Sequence, residues 1–173
     1  TQRVVAPALK NEIGVRQYEQ VISKHRYIVV ADVAEGKGLD YSAAQVIDIT
    51  ALPYRQVCTF HNNTITPHEY PRVLDRLGRL FNTATIMVEN NNIGSSVVNS
   101  LWDEFEYENI LFTRPAKKKG GRARGGTEVI LGAADGAEGG VKTSTTVKSI
   151  GCNLIKHLIE QDKLIVQDYE TIS

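Results

Sequence analysis

The sequence predicts an α/β protein built on one mixed sheet, an antiparallel three-strand meander extended by parallel strands and flanked by helices. Three observations lead there. Apolar runs of strand length at 27–32, 42–50 and 54–62 follow one another across short turns, which is how a meander reads. Downstream, stretches of helical period alternate with short apolar runs, the pattern of crossovers that return a parallel strand to the same sheet. A chain of 173 residues, 42% hydrophobic and 23% charged, is also long enough to bury one substantial core.

Taken in order, Tyr27-Ile28-Val29-Val30-Ala31 is apolar on both faces, as a central strand should be, and it stops at Asp32. A turn at 35–40 carries Gly36 and Gly38. The strand at 42–50 follows with Ala43, Ala44, Val46, Ile47 and Ile49, then a turn around Pro53. In 54–62, Val57, Thr59 and His61 alternate against Cys58 and Phe60. Thr66-Pro67-His68-Glu69 starts a helix, because Thr accepts from free amides, Pro is tolerated in a first turn, and Glu three positions on completes a capping box. Tyr70, Val73, Leu74, Leu77, Leu80 and Phe81 form its apolar stripe over about four turns. Residues 84–88 make another strand, again ending on a carboxylate, Glu89. A helix over 95–106 gathers Val97, Val98, Leu101, Trp102 and Phe105 on one side, and 110–112 is a short strand.

Between 114 and 140 the pattern breaks. GGRARGG and GAADGAEGG bracket Thr127 to Leu131, so a basic, glycine-rich insertion with one short strand is expected. Order returns in KTSTTVKSIGCNLIKHLIEQDK, a polar cap and a helix with Val147, Ile150, Leu154, Ile155, Leu158 and Ile159 facing inward. Gly151 within it costs about 1 kcal/mol relative to Ala. Residues 164–166 form a last short strand. Weak periodicity marks 1–24 as a lead-in or linker, so the folded domain is expected over 25–173.

Composition excludes several functions. No run approaches the roughly 20 apolar residues of a membrane span, and the start lacks the charged, apolar and small-residue regions of a secretory leader. Cys58 and Cys152 are far apart and outside metal-ligand spacing, which favours two reduced thiols. A formal net charge of zero argues against attraction of the whole molecule to nucleic acid. Locally the charge is segregated: RPAKKKGGRAR at 114–124 holds six cations and no acid, whereas DEFEYE at 103–108 gathers acids.

Binding sites of open α/β sheets sit beyond the carboxyl ends of strands where strand order reverses. With the first and fourth strands parallel neighbours, Asp32 and Glu89 meet there. Two such carboxylates repel unless a cation lies between them, and oxygen ligands suit Mg2+ or Mn2+. Glu35 and Asp40 in the turn AEGKGLD are further candidate ligands or supports. One acid at a strand end is more often a cap or a solvated group; two, each closing an apolar strand, favour the ion. AEGKGLDYS lacks the spacing of a phosphate-binding P-loop, and DVAEGKGLD lacks the donors of an EF-hand. His25, His61, His68 and His157 share no ligand spacing and read as surface or strand histidines. Trp102 and the tyrosines read as packing residues. Lys117, Lys118, Lys119, Arg122 and Arg124 are candidate phosphate contacts, as are Lys142, Thr143 and Lys148 at the start of the late helix.

Those acidic motifs resemble a known family, the nuclease domain of tailed-phage large terminases, most closely the T-even myovirus type. Asp32-Val33-Ala34-Glu35-Gly36-Lys37-Gly38-Leu39-Asp40-Tyr41 matches its first acidic motif, AAQVIDIT is similar to its second strand, and MVENNNIGSSVVNSLW to the segment in which a strand-ending Glu precedes a helix. KTSTTVKSIGCNLIKHLIEQDKLIV resembles the Lys/Thr-rich entry to a helix near the carboxyl end. Similarity spans about 27 to 172 with a gap over the basic insertion. It implies an RNase H-like fold and a two-metal endonuclease that cuts concatemeric double-stranded viral DNA. Asp32 and Glu89 would be catalytic acids and metal ligands, with Glu35, Gly36, Gly38 and Asp40 supporting and shaping the site. An ATPase motor preceding the nuclease, portal and small terminase subunits as partners, and the host bacterial cytoplasm during virion assembly are implied too. The family's third acid lies in a His-Asp-Asp-type motif beyond the last strand; the sequence stops at QDYETIS, and Asp168 and Glu170 do not align with it, so a shortened, weakened or inactive domain is expected. Two other functions stay open. One is a DNA-gripping module without catalysis; the other is an actin- or sugar-kinase-like phosphotransferase, whose later Asp-Gly motif IGCNLI does not supply.

Overall fold

Side-chain alternation decides which face of the central strand is buried. The computed structural model describes residues 8–90, 93–116 and 126–172. Its elements are β1 (Lys10–Glu12), β2 (Val15–Gln17), β3 (Tyr27–Asp32), β4 (Ser42–Asp48), β5 (Tyr54–Asn62), α1 (Tyr70–Leu80), β6 (Thr85–Val88), α2 (Gly94–Asp103), β7 (Leu111–Pro115), β8 (Thr127–Leu131), β9 (Glu138–Gly139), α3 (Thr145–Glu160), β10 (Leu164–Ile165) and α4 (Tyr169–Ile172). Tyr27, Val29 and Ala31 of β3 are buried, while Ile28 and Val30 are half-buried on the opposite face. The first set meets α1 and α2. Tyr27 packs edge-on to Phe81, with ring centroids 5.2 Å apart, and Leu74, Leu77, Val97, Val98 and Leu101 join the same core. Each of these buried side chains contributes about 1.5–3 kcal/mol by leaving water.

The main sheet runs β1-β2-β5-β4-β3-β6, with β10 also on β5. The meander β3-β4-β5 is antiparallel as expected, and β6 lies parallel to β3, with Ala31 opposite Val88. This is the mixed sheet of antiparallel meander and added parallel strand that the sequence predicts. A second sheet, β8-β7-β9, adjoins β6 through bridges at Ile110 and Val141.

Several expectations change. Within the lead-in 1–24, β1 and β2 form a hairpin whose second strand pairs with β5, so residues 10–17 belong to the sheet. Three-residue strands carry too little alternation to read locally. Helix α1 has 11 residues, about three turns. The Thr66–Glu69 box does form, with the Thr66 amide donating to Glu69 Oε2 at 3.1 Å and the Glu69 amide to Thr66 Oγ1 at 3.3 Å, but it organises the turn before the helix. Phe105 falls beyond the end of α2. The largest difference is α3: its first turn reaches Glu89 and its end leads into β10, yet none of its residues is buried. Val147, Ile150, Leu154, Ile155 and Ile159 are all about half exposed. Their spacing makes one side apolar, and no described element packs over it. Among the described residues no helix is long and apolar enough to cross a membrane. Cys58 is buried and Cys152 exposed, and both are free thiols.

Candidate metal centre

Parallel pairing of β3 with β6 fixes the centre. The Glu89 amide donates to Ala31 O at 2.9 Å, extending the ladder one residue past β6 and placing Glu89 beside Asp32. Adjacent strands lie about 4.8 Å apart, and the two carboxyls are close enough for each to shift the other's titration. Val33 N donates to Asp32 Oδ1 at 2.9 Å and Ala34 N to Ser42 Oγ at 3.0 Å, so the chain leaves the strand along a fixed path. Under it lies Tyr70, fully buried, its hydroxyl donating to Ala43 O at 2.7 Å. Asp32 itself is open to water on one side.

The two acids titrate in opposite senses. Desolvation by the surrounding protein, and then the charge of Glu89, raises Asp32 above the ordinary Asp range. Glu89 is lowered, first by the hydrogen bond it accepts from the Thr143 hydroxyl, an effect that outweighs its burial, and further by the charge of Lys148. Lys148 Nζ stands 3.6 Å from Glu89 Oε1 and is itself mostly exposed.

Thr143 arrives from far along the chain. Val141 bridges to Glu89: its amide donates to Val88 O at 2.8 Å, and its carbonyl accepts from the Asn90 amide at 2.9 Å. Just before it, Gly140 has φ +87°, and a Cβ there would lie 2.7 Å from Val88 O, so only glycine fits. Sequence reasoning missed Gly140. Its signal was the pair Gly139-Gly140 directly before the Lys/Thr-rich helix entry.

Of the residues expected at the site, Asp32, Glu89, Thr143 and Lys148 come together. Glu35 instead pairs with Lys37, Asp40 is exposed, and among the described residues no group of three or more His, Cys, Asp or Glu side chains gathers to hold a metal. Gly36 and Gly38 both have positive φ in the turn after β3. Gly36, at φ +71°, leaves no room for a Cβ, which would lie 2.5 Å from Ile65 O; the Gly38 amide donates to Asn63 O at 3.0 Å. Lys142 is exposed. Lys117, Lys118, Lys119, Arg122 and Arg124 lie outside the described residues.

Asp168 and Glu170 serve the fold. Asp168, 3% exposed, accepts from Arg16 at 3.1 Å, from the Tyr18 hydroxyl, and from the Thr171 amide and hydroxyl at 2.8 Å each. Burial alone would raise its carboxyl, but these hydrogen bonds more than reverse that and hold it low. Arg16 also donates to Glu170 at 2.7 Å. Gln56 Oε1 accepts from the amides of Gln167 and Asp168 at 2.8 and 2.7 Å, closing the chain end onto β5.

The donor chemistry at Asp32 and Glu89 fits a hard divalent ion. Mg2+ binds through one or two carboxylates and retains several waters, and two adjacent carboxylates at an open strand end, one raised by desolvation and then by the other's charge, provide that.

Comparison with known proteins agrees with the architecture. Three of the solved structures that the chain resembles illustrate this. One is the large terminase nuclease from thermophilic phage G20c with bound magnesium, at TM-score 0.68 and 16% identity, over 98% of this chain and 71% of that one. Another is the same nuclease with bound zinc, at 0.65 and 15%, over 96% and 78%. The third is the Thermus phage P74-26 large terminase nuclease domain, at 0.64 and 16%, over 98% and 70%. The model of the terminase RNaseH-like domain family matches residues 29–173, and the chain belongs to that family.

Proposed function

We propose that this domain is a metal-dependent endonuclease of a viral packaging terminase, cutting concatemeric double-stranded DNA with two divalent ions, Mg2+ or Mn2+. One observation carries the reading: Asp32 and Glu89 meet at the ends of two adjacent parallel strands, with Thr143 and Lys148 converging on Glu89. Asp32 and Glu89 are the ligands. When bound, divalent ions supply Lewis-acid stabilisation of the charge that develops on the phosphate oxygens. Thr143 orients Glu89 and keeps it ionised, which preserves its affinity for a cation. Lys148 places a positive charge where a phosphate oxygen would arrive. Glu35 and Asp40 border the site without joining it. Relatives bearing magnesium, zinc and cobalt support a site for divalent metals. An ATPase motor, a portal, a small terminase subunit and the host cytoplasm complete the proposed setting.

A DNA-gripping module without catalysis is the second reading, favoured by the gathering of only two carboxylates among the described residues. Family membership sets the phosphotransferase aside. Supercoiled plasmid incubated with the protein and Mn2+ distinguishes the two: nicking that disappears in Asp32→Asn, with gel retardation retained, is expected. Retardation with no cutting by the unaltered protein supports the gripping module and defeats the nuclease.

A further inference from the structure

The row of side chains that starts at Asp32 continues across the sheet. Asp32 pairs with Ala43, and Ala43 with His61. Residues directly paired across strands project to the same face, so His61 stands on the carboxylates' face. Two strand spacings separate it from Asp32, about 10 Å. Ala43, half-buried, stands between them in that row.

His61 is not alone. Its imidazole lies flat on the ring of Tyr41, with centroids 3.9 Å apart and planes inclined by 14°. Tyr41 is 46% exposed, and the His61 side chain 42%. Two half-exposed rings that stack on each other, and not into the core, bury little apolar surface for the sheet. Their positions are fixed nonetheless. His61 Nδ1 faces Glu170 Oε2 at 3.6 Å, while Glu170 Oε1 accepts from Arg16. The turn before Tyr41 is held by the Gly38 amide on Asn63 O, by Asn63 Nδ2 donating to Gly38 O at 3.3 Å, and by the close seating of Gly36 against Ile65. At 3.6 Å Nδ1 makes no hydrogen bond to Glu170, so the ring proton can sit on Nε2, which then donates to a phosphate oxygen, as the Tyr41 hydroxyl also can.

We propose that Tyr41 and His61 form a phosphate-contacting step for duplex DNA, gripping the backbone away from the phosphate held at Asp32 and Glu89. At 3.4 Å of rise per nucleotide, about 10 Å corresponds to roughly three nucleotides. Contacts from hydroxyls and ring nitrogens to phosphate set register without reading sequence. The assignment rests on the endonuclease reading, and it names positioning residues for that reaction.

The test uses the whole chain and a 30-base-pair duplex, with binding followed by fluorescence anisotropy in EDTA and plasmid nicking followed in Mn2+. Loss of one hydrogen bond to phosphate corresponds to about 3- to 10-fold. Tyr41→Phe, which keeps the stack and removes the hydroxyl, and His61→Ala are each expected to weaken Kd by that factor. Each should also raise KM for nicking more than it lowers kcat, the mark of binding shared by ground and transition states. His61→Gln, which keeps a donor, should recover most of the loss. Equal melting temperatures for all variants exclude a folding defect. Unchanged Kd and KM in both Tyr41→Phe and His61→Ala overturn the proposal, as does a loss in Tyr41→Ala that Tyr41→Phe does not share, which would point to stacking of a base. Asp32→Asn separates the two levels. If it abolishes nicking while Tyr41→Phe and His61→Ala bind normally, only this step fails; a protein that neither binds nor nicks overturns both.

Discussion

Removing one charge from the Asp32–Glu89 pair should make the metal-free protein more stable. At about 4.8 Å between adjacent strands, two unit charges repel by about 0.9 kcal/mol in bulk water and about 3.5 kcal/mol at an effective dielectric of 20. Asp32 is open to solvent and Lys148 already offsets part of the field at Glu89, so the lower end applies, about 1 kcal/mol. Asp32→Asn keeps the acceptor for the Val33 amide and removes the charge. In EDTA at pH 7 and low salt its melting temperature should rise by about 2–4 °C, the shift 1 kcal/mol produces in a domain of this size. The sign with pH follows from the raised Asp32. A carboxyl raised in the folded state destabilises it as pH climbs through the folded pKa, so the advantage of the variant should shrink in acid, where Asp32 is already protonated. Metal reverses the ranking: at ten times its dissociation constant, Mg2+ or Mn2+ stabilises the unaltered protein by about 1.4 kcal/mol by mass action, and Asp32→Asn should lose most of that gain. Differential scanning calorimetry with and without metal reads both halves. A variant less stable than the parent in EDTA, or one that keeps the full metal-induced gain, refutes the reasoning.

Other perturbations test the frame that holds the site. Asp168→Asn should cost about 2 kcal/mol, since it leaves Arg16 and Tyr18 facing a neutral amide, and chemical denaturation measures it. Because the Asp168 carboxyl is held low, its contribution is complete above the unfolded Asp value of about 3.9 and should vanish in the unaltered protein as pH falls through the folded value. Gly78→Ala would stabilise an exposed helix by about 1 kcal/mol. Here the new Cβ would stand 2.2 Å from the Tyr107 hydroxyl, which donates to Ala84 O, so a net loss of about 2 kcal/mol is expected in the urea midpoint. Leu154→Glu on the exposed side of α3 should change stability by less than about 0.5 kcal/mol; a loss of several kcal/mol would place that side chain in a core.

Local pattern carried much of the sheet. Strands β3, β4 and β6 were legible because each repeats its burial every second residue over four to seven positions, β5 because it is a nine-residue run between turns with five consecutive buried residues, and α1 and α2 because their apolar residues recur with helical period. Asp32 and Glu89 were legible for a related reason: a carboxylate that terminates an apolar strand stands out against the neighbours that bury it. The β1–β2 hairpin was not, because three residues of Lys-Asn-Glu or Val-Arg-Gln acquire strand structure only from the partner that β5 provides. In α3 the periodicity was plain and the inference from it was wrong, since period records which side of a helix is apolar and not whether anything covers it.

By itself, then, the sequence determined which segments extend or coil and which two acids end neighbouring strands. Tertiary structure alone decided what surrounds those acids. Thr143 reaches Glu89 from 54 positions away and Arg16 reaches Asp168 from 152, and no local preference encodes a contact that exists only once the sheet has closed and Gly140 has let the chain pass against Val88. Even the raised titration of Asp32 belongs to this second class, because the protein that desolvates it and the charge of Glu89 on the neighbouring strand are brought to it only by folding.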